Sequence, residues 1–139
     1  MSKIIRINHV TILVENKEIA EKFYTETLGL EKYLGLEKYS MENALWIKVG
    51  NQFLHITSNS GTLVKNTFYH FAIEVDNLLE YAKELVTKGV EIFGIDSESN
   101  KISIITELEK KHRQFFLRDP DGNLIELLDT KSKFFNPLK

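Results

Sequence analysis

Two βαβββ modules in tandem, an α+β chain folded as a cupped mixed sheet, are what this sequence predicts. Three observations predict them. A strand motif occurs twice, as "INHVTILVEN" (7–16) and "FYHFAIEVDN" (68–77), with His9 over His70, Ile12 over Ile73, Val14 over Val75 and Asn16 over Asn77. Each copy runs into an amphipathic helix that ends at a glycine. Each half closes on a look-alike strand, "QFLHITS" (52–58) and "GNLIELLD" (122–129), which sets His55 against Glu126. A fixed internal repeat of this kind decides the fold before any local propensity does.

In chain order, apolar residues Ile19, Ala20, Phe23, Tyr24 and Leu28 recur at helical spacing up to Gly29, and Leu78, Tyr81, Ala82, Leu85 and Val86 do so up to Gly89. Glycine suits the left-handed residue just past a helix end. Asn16 and Asp76 are the predicted N-caps, because short oxygen-bearing side chains accept the free first-turn N–H groups. Strands follow at roughly 31–40, 44–50 and 52–58 in the first half, and at 90–95, 113–122 and 123–129 in the second. Gly50-Asn51 and Asp119-Pro120-Asp121-Gly122 are the turns before the two closing strands. The predicted modules span about 5–58 and 67–130 of a single domain, 1–139. From His9 to His55 is 46 positions and from His70 to Glu126 is 56; the surplus lies around 94–111, as a loop over a site or a surface excursion. Phe134 and Phe135 in the tail are read as docking on the body or a partner.

The totals exclude several classes. The 139 residues are 42% hydrophobic and 27% charged, enough for a real core. A net charge of −2 with interspersed signs offers no surface for nucleic acid or for an acidic membrane. No cysteine is present, so disulfides, thiolate metal sites and cysteine nucleophiles are absent, and a reducing cytoplasm fits. The N-terminal apolar stretch is broken by Arg6, Asn8 and His9 and reads as a first strand, not a signal peptide.

Of four histidines, His9, His55 and His70 fall mid-strand at repeat-related places, and Glu126 fills the fourth such place. Alternate residues of a strand share a face. His9 therefore lies with Thr11 and Leu13, His55 with Phe53 and Thr57, His70 with Ala72 and Glu74, and Glu126 with Leu124 and Leu128. Three neutral imidazoles and a carboxylate suit a divalent cation, Fe, Mn, Co, Ni or Zn, and the donor set does not choose among them. On a six-coordinate ion they leave two positions for water or substrate oxygens, and a loosely held carboxylate can move a proton. His112, in the charged run "EKKHR", is read as solvated.

The pieces "NHVTILV", "AEKFYTETLGLE", "YHFAIEVDN" and "FFLRDPDGNLIEL" resemble the vicinal oxygen chelate superfamily, which includes glyoxalase I (lactoylglutathione lyase), the bleomycin-resistance proteins and the extradiol dioxygenases. The likeness covers about 5–130. It implies paired βαβββ modules, a cupped sheet with a metal held by His9, His55, His70 and Glu126, a small-molecule substrate and a homodimer. A glyoxalase-like lyase or isomerase would use Glu126 to carry a proton between adjacent carbons. The chain departs from glyoxalase I at His55, usually a glutamate, and at Leu13, where an arginine would meet the glutathione carboxylate. A small ring-cleaving dioxygenase, a fosfomycin-type thiol transferase and a non-catalytic binding protein of the bleomycin-resistance kind stand as alternatives. Thr11, Trp46, Lys48, Phe53, Phe116 and Arg118 are the candidate substrate contacts, the last through an anionic group, as for Arg113.

Overall fold

The computed structural model describes residues 2–4, 6–36, 44–58, 68–95 and 101–131. The chain divides into two compact units, Met1–Lys65 and Asn66–Lys139.

The first unit runs β1 (His9–Leu13), α1 (Lys17–Lys22), β2 (Glu31–Lys32), β3 (Ala44–Val49) and β4 (Gln52–Thr57). Its sheet has the order β1-β4-β3-β2. The first and last strands are parallel neighbours, and the β4–β3 and β3–β2 pairs are antiparallel. A parallel pair needs a crossover, and α1 supplies it. Alternation then sorts the side chains. Ile12, Leu45, Ile47, Leu54 and Ile56 are buried, as are Ala20 of α1 and Tyr24 and Leu28 just beyond it. The helix packs on β3 and β4. His9, Thr11, Trp46, Lys48, Phe53 and His55 point the other way.

Asn16 caps α1 as predicted, accepting the Ile19 N–H at 2.9 Å. The helix continues as one wide turn, Phe23–Thr27, in which the Leu28 N–H reaches back five residues to Phe23 (2.9 Å). The Thr25 hydroxyl takes the Glu21 carbonyl at 2.7 Å, the kind of side-chain competition that disturbs a helix ladder. Of the strand expected over 31–40, Glu31–Lys32 pairs with β3 and the Tyr33 N–H reaches the Trp46 carbonyl at 2.9 Å, 33–36 are not strand, and 37–43 lie outside the described residues.

The second unit runs β5 (His70–Val75), α2 (Leu78–Thr87), β6 (Phe93–Ile95), β7 (Ile102–Ile104), β8 (Gln114–Arg118) and β9 (Leu124–Asp129), with sheet order β5-β9-β8-β6-β7. Its first and last strands, β5 and β9, are again parallel neighbours. Ile73, Phe115, Leu117, Ile125 and Leu127 are buried on one face, with Leu78, Ala82 and Leu85 of α2 also buried. The surplus segment is partly accounted for. Its apolar residues form β7, an antiparallel edge strand on β6, so this module has one strand more than expected. Residues 96–100 lie outside the described ones, as does the tail with Phe134 and Phe135.

The α2 cap is Asn77 rather than Asp76. Its Oδ1 accepts from the Glu80 N–H at 3.4 Å, which restores the repeat with Asn16. At the other end the Val90 N–H returns to Leu85 and the Gly89 N–H to Val86, both at 3.0 Å. Gly29 and Gly89 both have positive φ, 79° and 83°. A Cβ at Gly89 would meet nothing within 4 Å, so only the backbone conformation opposes a side chain there. Gly89→Ala should lower unfolding stability by about 1–2 kcal/mol, read as a reduced urea midpoint with an unchanged m-value.

Candidate metal centre

In the first unit, register builds the donor group. On β4, His55 is flanked directly by Thr11 of β1 and by Trp46 of β3. The Trp46 indole stacks on the His55 ring with centroids 4.2 Å apart and planes 14° apart. Thr11 Oγ1 lies 3.3 Å from His55 Nδ1. His55 Nε2 is covered from solvent and has no hydrogen-bond partner. His9 meets Trp46 edge-on at 5.1 Å and His55 at 6.1 Å, and its Nδ1 donates to Asn8 Oδ1 at 2.9 Å. Burial of the ring, and secondarily the neighbouring His9, pushes the His55 pKa below its ordinary 6.5. That favours the neutral form, the only one able to bind a cation. Phe53 touches Trp46 and Tyr33, and Lys48 is exposed on the same face, opposite Phe53 and Glu31.

In the second unit, His70 opens β5 and Glu126 lies on β9. His70 Nε2 is 2.9 Å from Glu126 Oε2, and His70 Nδ1 donates to the Phe68 carbonyl at 2.7 Å. Glu126 is buried, at 7% exposure. A buried carboxylate needs a positive partner. A neutral imidazole has a single N–H, and here both of its nitrogens face oxygen acceptors, so the Nε2–Oε2 contact calls for a shared proton or a shared cation. Phe116 is paired with Glu126 across the β8–β9 ladder and meets His70 at 5.7 Å, edge to face. Arg118 follows Phe116 on the same face, and its Nη1 donates to the Gly122 carbonyl at 2.9 Å, inside the turn.

That turn holds the Glu126 strand in register. Asp119 is buried, and its Oδ1 accepts from the Asp121 and Asn123 N–H groups at 2.9 and 2.8 Å. Its Oδ2 accepts from the Asn123 side chain at 2.9 Å. This is a side-chain-stabilised turn of the kind aspartate favours.

The two units share one geometric rule. His9 is paired with Phe53, two residues before His55; His70 is paired with Leu124, two residues before Glu126. The donors therefore occupy the same diagonal of the same parallel ladder. All three imidazoles also use Nδ1 for a protein contact. Two features suit a cation: a covered, unpartnered Nε2 on His55, whose burial favours the neutral ring, and an imidazole–carboxylate pair on His70 and Glu126. The structure brings the four donors together as two pairs. Among the described residues no group of three or more histidine, aspartate or glutamate side chains is close enough to hold an ion. His112 is used elsewhere, with its Nδ1 accepting the Glu109 N–H at 3.2 Å.

The family model described as Glyoxalase/Bleomycin resistance protein/Dioxygenase superfamily matches residues 6–127. The chain belongs to this superfamily. Its two mixed sheets of four and five strands are the glyoxalase/bleomycin-resistance fold. A glyoxalase family protein from Bacillus anthracis superposes with a TM-score of 0.71 and 29% identity, over 93% of this chain and 98% of that one. The antibiotic binding protein TnmS3 from Streptomyces gives 0.68 and 20%, over 93% and 98%. The fosfomycin resistance protein FosX from Listeria monocytogenes gives 0.67 and 18%, over 91% of both chains. By sequence, no curated protein matches. The superfamily commonly binds divalent metals and includes enzymes and non-catalytic members. No described helix is long and apolar enough to cross a membrane.

Two contributors escape sequence reasoning. Asn8 anchors His9, and the Phe68 carbonyl anchors His70. Asn8 carried a signal, as the residue next to a repeat histidine; a backbone carbonyl carries none.

The lowered His55 pKa sets a sign. The metal-free folded chain binds fewer protons here than the unfolded chain does, so this group subtracts stability as pH falls through about 6.5 and below. In the metal-free protein, the His55 ring resonances should titrate below the ordinary histidine value of 6.5, and the urea midpoint should be lower at pH 5 than at pH 7. A His55→Gln variant should lose part of that difference.

Proposed function

We propose that this chain is a divalent-metal-dependent, glyoxalase-like lyase or isomerase acting on a small oxygen-bearing metabolite. Its metal would be held by His9, His55, His70 and Glu126. The observation that carries the proposal is the matched presentation of donors: three imidazoles engaged through Nδ1 and a buried carboxylate, on the same diagonal of two equivalent ladders. The likeness to a glyoxalase family protein supports the reaction class.

When bound, the ion would polarise a substrate carbonyl and make the neighbouring C–H more acidic. Residues of the chain supply the rest. Glu126 would accept the proton from that carbon and return it to the adjacent atom, held for the task by β9 and by His70. The Asn8 and Phe68 contacts would hold Nδ1 of His9 and His70 as the donor and so leave Nε2 to the ion, the role that outer partners play for metal-bound histidines. Trp46, Phe53 and Phe116 would give the substrate an apolar wall that limits water. Lys48 would meet an anionic substituent, and Thr11 would act through His55. Each module holds only half of the donor set, so the proposal includes a pairing of modules, within one chain or across a homodimer.

Protein purified without a histidine tag should retain a near-stoichiometric divalent ion by elemental analysis. The double variant His9→Ala, Glu126→Gln should fold and lose it; unchanged metal content would reject the donor assignment. Glu126→Gln alone should reduce turnover by about 10²–10⁴-fold, the usual worth of a positioned base, in a panel of hemithioacetals, epoxides and catechols. A folded wild-type protein that holds no metal and turns over nothing, yet binds an apolar ligand, would favour a non-catalytic binding role, as in the antibiotic binding protein TnmS3.

A further inference from the structure

We propose that Trp46 is a positioning residue for His55, acting with Thr11 to hold its Nε2 in a ligating attitude. The inference rests on the metal reading above and deepens it. His55 has a direct cross-strand neighbour on each side, Thr11 on β1 and Trp46 on β3. These neighbours constrain different things. The near-parallel stack at 4.2 Å fixes the plane of the imidazole. The Thr11 hydroxyl, 3.3 Å from Nδ1, selects which way round the ring lies in that plane. Together they leave Nε2 covered and unpartnered, an arrangement that costs free energy and that binding an ion at this nitrogen would offset.

Trp46 is itself held. Its rim meets Phe53 at 86° and His9 at 68°, so the indole cannot turn away without disturbing both. The stack also has a sign. An imidazole that donates its lone pair to a cation becomes electron-poor, and the electron-rich indole face then attracts it more strongly, as it attracts cationic groups generally. Trp46 thereby favours the ligated state over the empty one. The indole has no lone pair in its plane with which to bind the ion, so its effect on the ion passes through His55.

Trp46 is the single tryptophan of the chain, which makes the test direct. Metal-free protein is titrated with Co²⁺, following tryptophan emission and the visible absorption of the bound ion. In the wild type, both signals should change together with one midpoint. Trp46→Ala should weaken Co²⁺ binding about 10–100-fold and alter the visible spectrum, the usual effect of losing an outer partner of a ligand. Trp46→Phe, which keeps a flat aromatic face, should stay within about threefold of wild type. Trp46→Leu keeps apolar bulk without that face and should behave like alanine, which covers the case in which the alanine variant does not fold. In a His55→Ala background, Trp46→Leu should weaken binding no further, because the two residues act as one unit. Wild-type affinity and spectrum in Trp46→Leu, or an undiminished loss in the His55→Ala background, would overturn the inference and leave the metal reading standing. A wild type that binds no Co²⁺ would overturn both.

Discussion

Everything at the candidate site depends on the parallel pairing of the first and last strand of each module. That pairing forces a helical crossover, and the helix claims one face of the sheet. The donors are left with the other face. Register then decides which side chains face which way. A slip of one residue in β4 would turn His55 toward the helix and bring Ile56 out; the same slip in β9 would exchange Glu126 for Leu127. The residues on either side of His55 and of Glu126 are buried aliphatics, so such a slip would place a polar or charged side chain in the core and apolar surface in water. Hydrophobic burial behind the sheet thus holds the polar chemistry in front of it.

The donor side chains are arrested short of mutual satisfaction. His55 keeps a covered nitrogen with no hydrogen-bond partner, while His70 has an oxygen at each ring nitrogen. An orphaned nitrogen like that of His55 is uncommon in protein interiors, where buried polar groups find partners. The two arrangements persist here because the surrounding contacts are strong: a stack and a hydroxyl around His55, a strand and a tightly bonded aspartate turn behind Glu126. A divalent ion at His55 Nε2 would give that covered nitrogen the partner it lacks.

The repeat made most of the architecture legible. Aligning His9 with His70 and His55 with Glu126 predicted both βαβββ orders, both glycine stops and the Asn16 cap. Errors arose where the alignment had no counterpart. The residues around 94–111 have no equivalent in the first half, and β7 emerged there as an edge strand. The second cap is a separate case: it is Asn77, the repeat counterpart of Asn16, and not the neighbouring Asp76, whose side chain has the same capping chemistry. The candidate contacts fared according to parity. Thr11, Trp46, Lys48 and Phe53 lie on the donor face because alternation is strict within a strand. Arg118 also keeps parity, yet its guanidinium is engaged by the Gly122 carbonyl, a contact that only the closed turn reveals.

The sequence by itself determined the two modules and the superfamily, and it put His9, His55, His70 and Glu126 at matched places, because periodicity and residue identity at repeat-related positions carry all of these. Tertiary structure decided how the donors are presented. Which ring nitrogen is engaged, that Trp46 lies flat on His55, and that Glu126 is buried against His70 follow from strands brought side by side from distant parts of the chain. Those contacts are set by interstrand register and packing, and no local pattern encodes them.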